Sequence, residues 1–418
     1  MRILIYGINF APEPTGIGKF TGEMAAWLVE RGHDVRVVTA PPYYPEWKVS
    51  QHYGCTHYLQ EVVQGAAIWR CPLYVPPRPS GLKRILHLAS FAISSFPVMV
   101  RQIFWRPDVV WAVEPALMCV PSAWLAARLA GAKAWLHVQD YEVNAAFELG
   151  VVRSTRLKKV LLSLEQWLMN RFDRVSTVSA QMLALLLDKG VPWNRAVLFP
   201  NWVDTSFIVP LDRNKDLKVT GTLPDYRATW GISPDTVVCL YSGNIGEKQG
   251  LELMIEAARR LKDELSIRFV ICGNGAAYQR LRRMAEGLDN IVWMPLQPYE
   301  QLNNLLNAAD IHLLPQRSRA ADLVMPSKLT GIFASGRPVL ATAEPETAVY
   351  ESVQGRGLVV PPGDADAFVD ALLELSCSTE KRQELGKAAR DYAMQHLDKS
   401  VVLTRFEQSL INLHSDCH

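Results

Sequence analysis

Net charge is the first thing missing. With 44 Lys and Arg against 42 Asp and Glu, the 418-residue chain carries only +2 at neutral pH. No nucleic-acid-binding field is present, so any anionic partner must be met by local groups. Cysteine pairing is also missing. The seven cysteines (Cys55, Cys71, Cys119, Cys239, Cys272, Cys377, Cys417) show no Cys-x-x-Cys and no ligand spacing, which argues against a zinc module or a disulfide framework. Cys239 and Cys272 lie inside apolar strand patterns, as small core residues do in a reducing cytosol. No apolar run reaches the length of a spanning helix, because Ile85 to Val100 holds His87, three serines and Pro97. The N-terminal run is too short for a signal peptide and has no cleavage site; it reads as a strand entering a glycine loop.

What is present is an ordinary globular composition, 49% hydrophobic and 21% charged, in a chain long enough for two domains. Short β-branched runs alternate with helical patterns: strands at Arg2 to Ile8, Val35 to Thr39, Asp108 to Val113, Ala134 to Val138 and Arg174 to Val178, with helices between. The regularity fails between Pro200 and Pro234, then resumes with strands from Val237 to Val360. This pattern predicts an α/β protein of two doubly wound, Rossmann-like parallel-sheet lobes facing a cleft, 1–200 and 201–396, with a last helix in 397–418 crossing back to the first.

The stretch around which the rest is organised is Tyr241 to Gly250, answered by Met325 to Val339. The first closes an apolar strand and opens a helix. Its glycines and lysine leave backbone N–H groups beside a positive helix end, an anion site. In the second, Pro326 and Ser327 suit a helix start, and Gly336 with Pro338 suits its stop. Lys248 reads as an exposed lysine on its own, but Lys328 on the opposing segment gives it company. Gly273-Asn274-Gly275 is a further strand-end turn.

In the first lobe, Glu13-Pro14-Thr15-Gly16-Ile17-Gly18-Lys19 opens the first helix. It is not a dinucleotide fingerprint: Gly22 comes one place late, and the second strand ends in Thr39-Ala40 instead of an acid. A tight turn explains it equally well. His137-Val138-Gln139-Asp140-Tyr141-Glu142 runs from a strand into a loop, where Asp140 and Glu142 can face a ligand and His137 reads as a core histidine. Ser179 is explained by helix capping, and Asn201 by a turn at the lobe junction. Residues 82–106 mix Lys83, Arg84, Arg101 and Arg106 with Phe91, Phe96, Phe104 and Trp105. That composition fits either a face lying on anionic lipid or a core helix kinked at Pro97.

These motifs resemble the GT-B-fold family 4 glycosyltransferases over nearly the whole chain. The match rests on Pro-Thr-Gly-Ile-Gly-Lys, Val-Gln-Asp at 138–140, Ser-Gly-Asn-Ile-Gly-Glu-Lys-Gln-Gly-Leu-Glu at 242–252, Met-Pro-Ser-Lys-Leu-Thr-Gly at 325–331 and Ala-Ser-Gly-Arg-Pro-Val. Within the family the chain is similar to the WcaI-type, fucosyltransferase-like enzymes of colanic acid and related exopolysaccharide assembly. It departs from the family pattern where an arginine is replaced by Asn244, a lysine by Gln249, a histidine by Gln139, and the second of two paired glutamates by Gly331. Asp322 lies close to the first.

The resemblance implies a retaining, metal-independent transfer from a nucleotide sugar, GDP-fucose in this branch, to a lipid-diphosphate-linked saccharide. No cofactor beyond the donor is implied. The implied place is the cytoplasmic face of the inner membrane, held there peripherally through residues 82–106. The expected catalytic residues are Asp140, Lys248 and Lys328. The expected donor-binding residues are Gly16, Gly18, Gly243, Asn244, Gly246, Gly273, Asn274, Met325, Pro326, Ser327 and Leu329, and Gln139 and Glu142 should meet the acceptor. Three rivals remain: an epimerase or hydrolase of the same fold, a nicotinamide oxidoreductase, and a two-lobed binding protein without chemistry.

Overall fold

A run such as Val237-Val238-Cys239-Leu240-Tyr241 has no polar face to give to water, so it must be a strand covered on both sides. In the computed structural model, which describes residues 1–77, 81–114, 117–141, 155–211, 225–317 and 326–415, residues 238–241 are fully buried. The chain forms two compact units, Met1–Pro200 with Leu403–His418, and Asn201–Val402.

Unit 1 contains β1 (Arg2–Tyr6), β2 (Asp34–Thr39), β3 (Leu59–Val63), β4 (Ala66–Arg70), β5 (Val109–Glu114), β6 (Lys133–Val138), β7 (Arg174–Thr177) and β8 (Ala196–Leu198). They form one sheet in the order β3-β4-β2-β1-β5-β6-β7-β8. All pairings are parallel except the edge hairpin β3–β4. Sequence reading missed that hairpin. Its turn is Gln64-Gly65, both at positive φ (48° and 83°), as a two-residue hairpin turn requires. Its strands are short and half-exposed at the sheet edge, so they lack the apolar run that marks a central strand.

Unit 2 contains β9 (Val237–Ser242), β10 (Ile267–Cys272), β11 (Ile291–Met294), β12 (Ile311–Leu314), β13 (Val339–Thr342) and β14 (Gly357–Val360). This sheet is ordered β11-β10-β9-β12-β13-β14 and is parallel throughout. Strand order reverses between β1 and β5 in unit 1 and between β9 and β12 in unit 2. At such reversals the crossover helices diverge to opposite faces and leave a crevice beyond the strands' carboxyl ends. The glycine turns after β1 and β9 open there.

The C-terminal helix Lys399–Ser415 presents Leu403, Phe406, Leu410 and Leu413, all buried, at the three-four spacing of one helical face. Phe406 stacks on Phe199 at 4.4 Å and meets Trp135 edge-on at 5.2 Å. That aromatic packing is what makes the last helix part of unit 1.

Candidate functional site

In unit 2 two glycine turns lock into each other. Gly273 (φ 151°) has no room for a side chain, since a Cβ there would sit 1.9 Å from the Gly243 carbonyl oxygen. A Cβ on Gly275 would sit 2.3 Å from the Ile245 oxygen. The turns are then sewn together. Gly243 N–H donates to Cys272 O (2.9 Å), Ile245 N–H to Asn274 O (2.8 Å) and Ala277 N–H to Ile245 O (3.0 Å). This corrects the expectation that the whole Gly243–Gly246 turn offers its amides. The amides of Gly243 and Ile245 are consumed by protein carbonyls, and Gly273 N–H is bonded to Met294 O. Among the described residues, the amides of Asn244 and Gly246 have no protein acceptor.

Against this turn stands Lys328, first residue of the helix Lys328–Ala334. Its Nζ lies 3.3 Å from the place a Gly243 Cβ would take and donates to the Tyr241 hydroxyl (3.1 Å), which donates in turn to Asn244 O (2.6 Å). The ammonium also sits 4.2 Å from the Tyr241 ring centroid. Among the described residues no carboxylate pairs with it. It keeps some surface, yet the protein around it removes enough water to push its pKa down to about 7. A desolvated cation with no counter-ion is a cation awaiting one.

The other expected residues sort as follows. Pro326 and Ser327 precede Lys328, with Ser327 exposed. Leu329 is corrected: its side chain is fully buried in the core with Phe333 and Val349, and its amide donates to Pro326 O (2.9 Å). Lys248 is exposed on the short turn Glu247–Gln249, and of the two lysines it is Lys328 that reaches Gly243. Met325 lies outside the described residues. A charged network passed unnoticed in the sequence. Arg280 donates to Glu247 (2.6 Å) and Glu252 (2.5 Å), and Arg317 donates to Glu252 (2.7 Å). Arg317 N–H is bonded to Lys248 O (3.2 Å), tying the end of β12 to the turn after β9. No spacing in the chain announces that network, since its members come from four separate segments.

In unit 1, Gly16 (φ 66°) starts the helix Gly16–Glu30, whose N-cap Thr15 makes no side-chain cap. Gly18 faces the Glu13 carboxylate. Asp140 is exposed just beyond β6, while Gln139 is buried and bonded to His137 Nε2 (2.9 Å). His137 Nδ1 bonds Ser176 (2.8 Å), and its ring stacks on Trp111. Burial pushes its pKa down to about 3, a neutral core histidine. Ser179 caps its helix through Met182 N–H (3.1 Å). Glu142 lies outside the described residues. Asp364-Ala365-Asp366 has the Asp-x-Asp spacing of metal motifs, but Asp364 caps the helix Ala365–Cys377 and Asp366 pairs with Arg260.

The helix Gly81–Ile103 is amphipathic in an inverted sense. Its buried face carries His87, Phe91, Ser95, Met99 and Gln102. Each polar member is bonded, His87 Nδ1 with Tyr74 O, Ser95 with the Tyr6 hydroxyl and Gln102 Oε1 with Arg36, while His87 Nε2 and Gln102 Nε2 are buried without a partner among the described residues. The outward face exposes Leu82 (70%), Ile93 (74%) and Phe96, and Phe104 (83%) follows just beyond. Phe91 is thus core, contrary to a uniform lipid-facing aromatic set. No helix among the described residues is long and apolar enough to cross a membrane.

Comparison with known proteins matches residues 15–202 to the Glycosyl transferase 4-like domain and 224–392 to Glycosyl transferases group 1. The chain is 44% identical over 417 residues to the putative colanic acid biosynthesis glycosyl transferase WcaI of Escherichia coli K12, covering 97% of this chain and 98% of that protein. In fold it is similar to sucrose-phosphate synthase from Thermosynechococcus elongatus (TM-score 0.74, 16% identity, 99% of both chains). It is likewise similar to Anabaena HepE, solved with UDP and glucose (TM-score 0.68, 14% identity, 99% of this chain and 100% of that one).

Proposed function

The chain belongs to the glycosyl transferases, and from that premise we propose that it moves a sugar from a nucleotide diphosphate to a saccharide in exopolysaccharide assembly of the colanic acid kind. The observation that carries this reading is Lys328: a desolvated ammonium, without a carboxylate partner among the described residues, set against the glycine turn at the switch point of the unit 2 sheet.

Glycosyl transfer passes through an oxocarbenium-like state while negative charge gathers on the departing diphosphate. The catalyst's main task is to stabilise that charge with fixed donors. In this reading Lys328 and the amides of Asn244 and Gly246 meet the phosphate oxygens, with Ser327 and Asn274 at the rim and Lys248 as a second cation. Two cations and a set of amides can do the electrostatic work of a divalent ion, so the proposed reaction is metal-independent. With the leaving phosphate itself accepting the proton of the incoming hydroxyl, the sugar is delivered on the face it left, with net retention. Asp140 orients that hydroxyl in unit 1.

GDP-fucose as donor and a lipid-diphosphate-linked saccharide as acceptor follow from the likeness to the colanic acid branch. A lipid-linked acceptor would also explain the inverted helix Gly81–Ile103, whose apolar outer face is flanked by Lys83, Arg84, Arg101 and Arg106 with no acidic residue in the helix. That combination suits peripheral binding to an anionic cytoplasmic leaflet.

The test is a thermal-shift panel of nucleoside diphosphates and nucleotide sugars, followed by product analysis with the best donor. Stabilisation by one diphosphate series and donor-dependent glycolipid support the reading. No shift with any nucleotide removes it, and donor turnover to free sugar without acceptor replaces it with a hydrolase.

A further inference from the structure

Glu13 takes no part in the chemistry above, yet it is 4% exposed in the loop between β1 and the first helix. Burying a carboxylate is costly unless it is heavily bonded, and this one is. Its Oε1 accepts from the amides of Tyr43 (3.2 Å) and Tyr44 (3.1 Å), and Asn9 Nδ2 donates to both oxygens (3.2 and 3.0 Å). Oε2 occupies the space a side chain at Gly18 would need, 2.3 Å from the Cβ position. A second buried ionisable group joins the same two loops. Arg70, 1% exposed on β4, donates to Ala11 O (2.6 Å) in the loop after β1 and to Ala40 O (3.0 Å) after β2. A buried carboxyl and a buried guanidinium therefore fasten the same pair of loops at the switch point of the unit 1 sheet.

What the fastening presents is Tyr44. Its ring is 39% exposed and lies 3.4 Å from the Cβ position of Gly16, covering the start of the first helix. Burial, with smaller contributions from the charges of Glu13 and Asp140 against Arg84, raises the pKa of its hydroxyl. We propose that Glu13 is a positioning residue for the transfer: it clamps the loop after β2 across the glycine loop after β1, so that the Tyr44 ring stands as a fixed aromatic wall over the start of the first helix for a pyranose ring of the acceptor. This rests on the acceptor being met in unit 1. An aromatic face suits a sugar, whose C–H groups pack on the ring. Glycine at 18 is then required for clearance, because a side chain there displaces the carboxylate, and glycine at 16 suits a backbone at φ 66° that other residues rarely adopt.

Amide exchange read by mass spectrometry on the full-length protein tests the clamp without any ligand. In Glu13→Ala the peptide spanning residues 41–48 should exchange roughly tenfold faster or more while the first helix keeps its protection, and Glu13→Gln, which retains an acceptor oxygen, should fall between. Labelled GDP-fucose, with total lipid of an exopolysaccharide-producing strain as the varied acceptor, tests the wall. Tyr44→Ala and Glu13→Ala should raise the apparent KM for lipid roughly tenfold with kcat little changed, and nucleotide-induced thermal shifts should match wild type. Unchanged exchange in Glu13→Ala, faster exchange throughout unit 1, or an unchanged KM in Tyr44→Ala each overturns the proposal. Absence of transfer in every protein, wild type included, counts instead against GDP-fucose or the lipid acceptor, and the exchange data still decide the clamp.

Discussion

Binding of a nucleoside diphosphate should pull a proton onto Lys328. With its pKa at about 7, this lysine is roughly nine-tenths neutral at pH 8 by simple titration. A phosphate oxygen about 4 Å away, at an effective dielectric of about 20, stabilises the ammonium by roughly 4 kcal/mol. That equals about three pKa units at 1.36 kcal/mol each, enough to return the lysine to its ordinary range. The sign follows. Close to one proton is taken up per diphosphate at pH 8, about half a proton at pH 7 and little at pH 6, and apparent affinity falls as pH rises through 7. The assay is calorimetric titration of GDP at pH 8 in buffers of different ionisation enthalpy, where the slope of observed enthalpy counts protons. Lys328→Met should flatten that slope and lower kcat by roughly 10² to 10³, the usual effect of losing one well-placed donor. A wild-type slope near zero, or one that Lys328→Met leaves unchanged, refutes the argument that this ammonium meets the diphosphate.

Gly273→Ala should destabilise unit 2 by more than about 3 kcal/mol and abolish nucleotide-induced stabilisation, since the new methyl meets a carbonyl oxygen at 1.9 Å; a normal melting temperature contradicts the interlocked-turn geometry. Replacing Lys83, Arg84 and Arg101 together by glutamine should release the protein from anionic vesicles while leaving its melting temperature near wild type, because all three are exposed; unchanged co-sedimentation removes the membrane face. Burial lifts the Glu13 carboxyl to about 7, against the opposing effects of the Tyr43 and Tyr44 amides, Asn9 and the Arg70 charge. A carboxyl raised above its unfolded value holds its proton longer in the folded state, so stability declines as pH rises from about 4.5 to 7, by an amount on the order of 3 kcal/mol. Glu13→Gln should erase that part of the slope in chemical denaturation curves, and an equal slope in both proteins rejects it.

The central strands were legible in the chain because each is a short apolar run bounded by turn residues, a pattern set by local burial alone. β9 and β10 are buried along nearly their whole length for this reason. The hairpin strands β3 and β4 were not legible: β4 alternates buried and half-buried residues and is held by its pairing with β2, while β3 buries none of its residues and pairs only with β4. Lys328 could be suspected from its motif. Its Tyr241 contact and depressed pKa could not, because they join residues 87 positions apart.

What the sequence determined by itself was the alternation of strands and helices, the two glycine turns and the family likeness, all properties of neighbouring residues and their order. The tertiary structure alone decided which groups are spent and which are free. It gave the amides of Gly243 and Ile245 to protein carbonyls, turned Leu329 inward, left Lys328 without a counter-charge among the described residues and put Glu13 beneath the Tyr44 loop. Hydrogen-bond partners and desolvation depend on what other parts of the chain bring to a point in space, and residue order does not encode that distance directly.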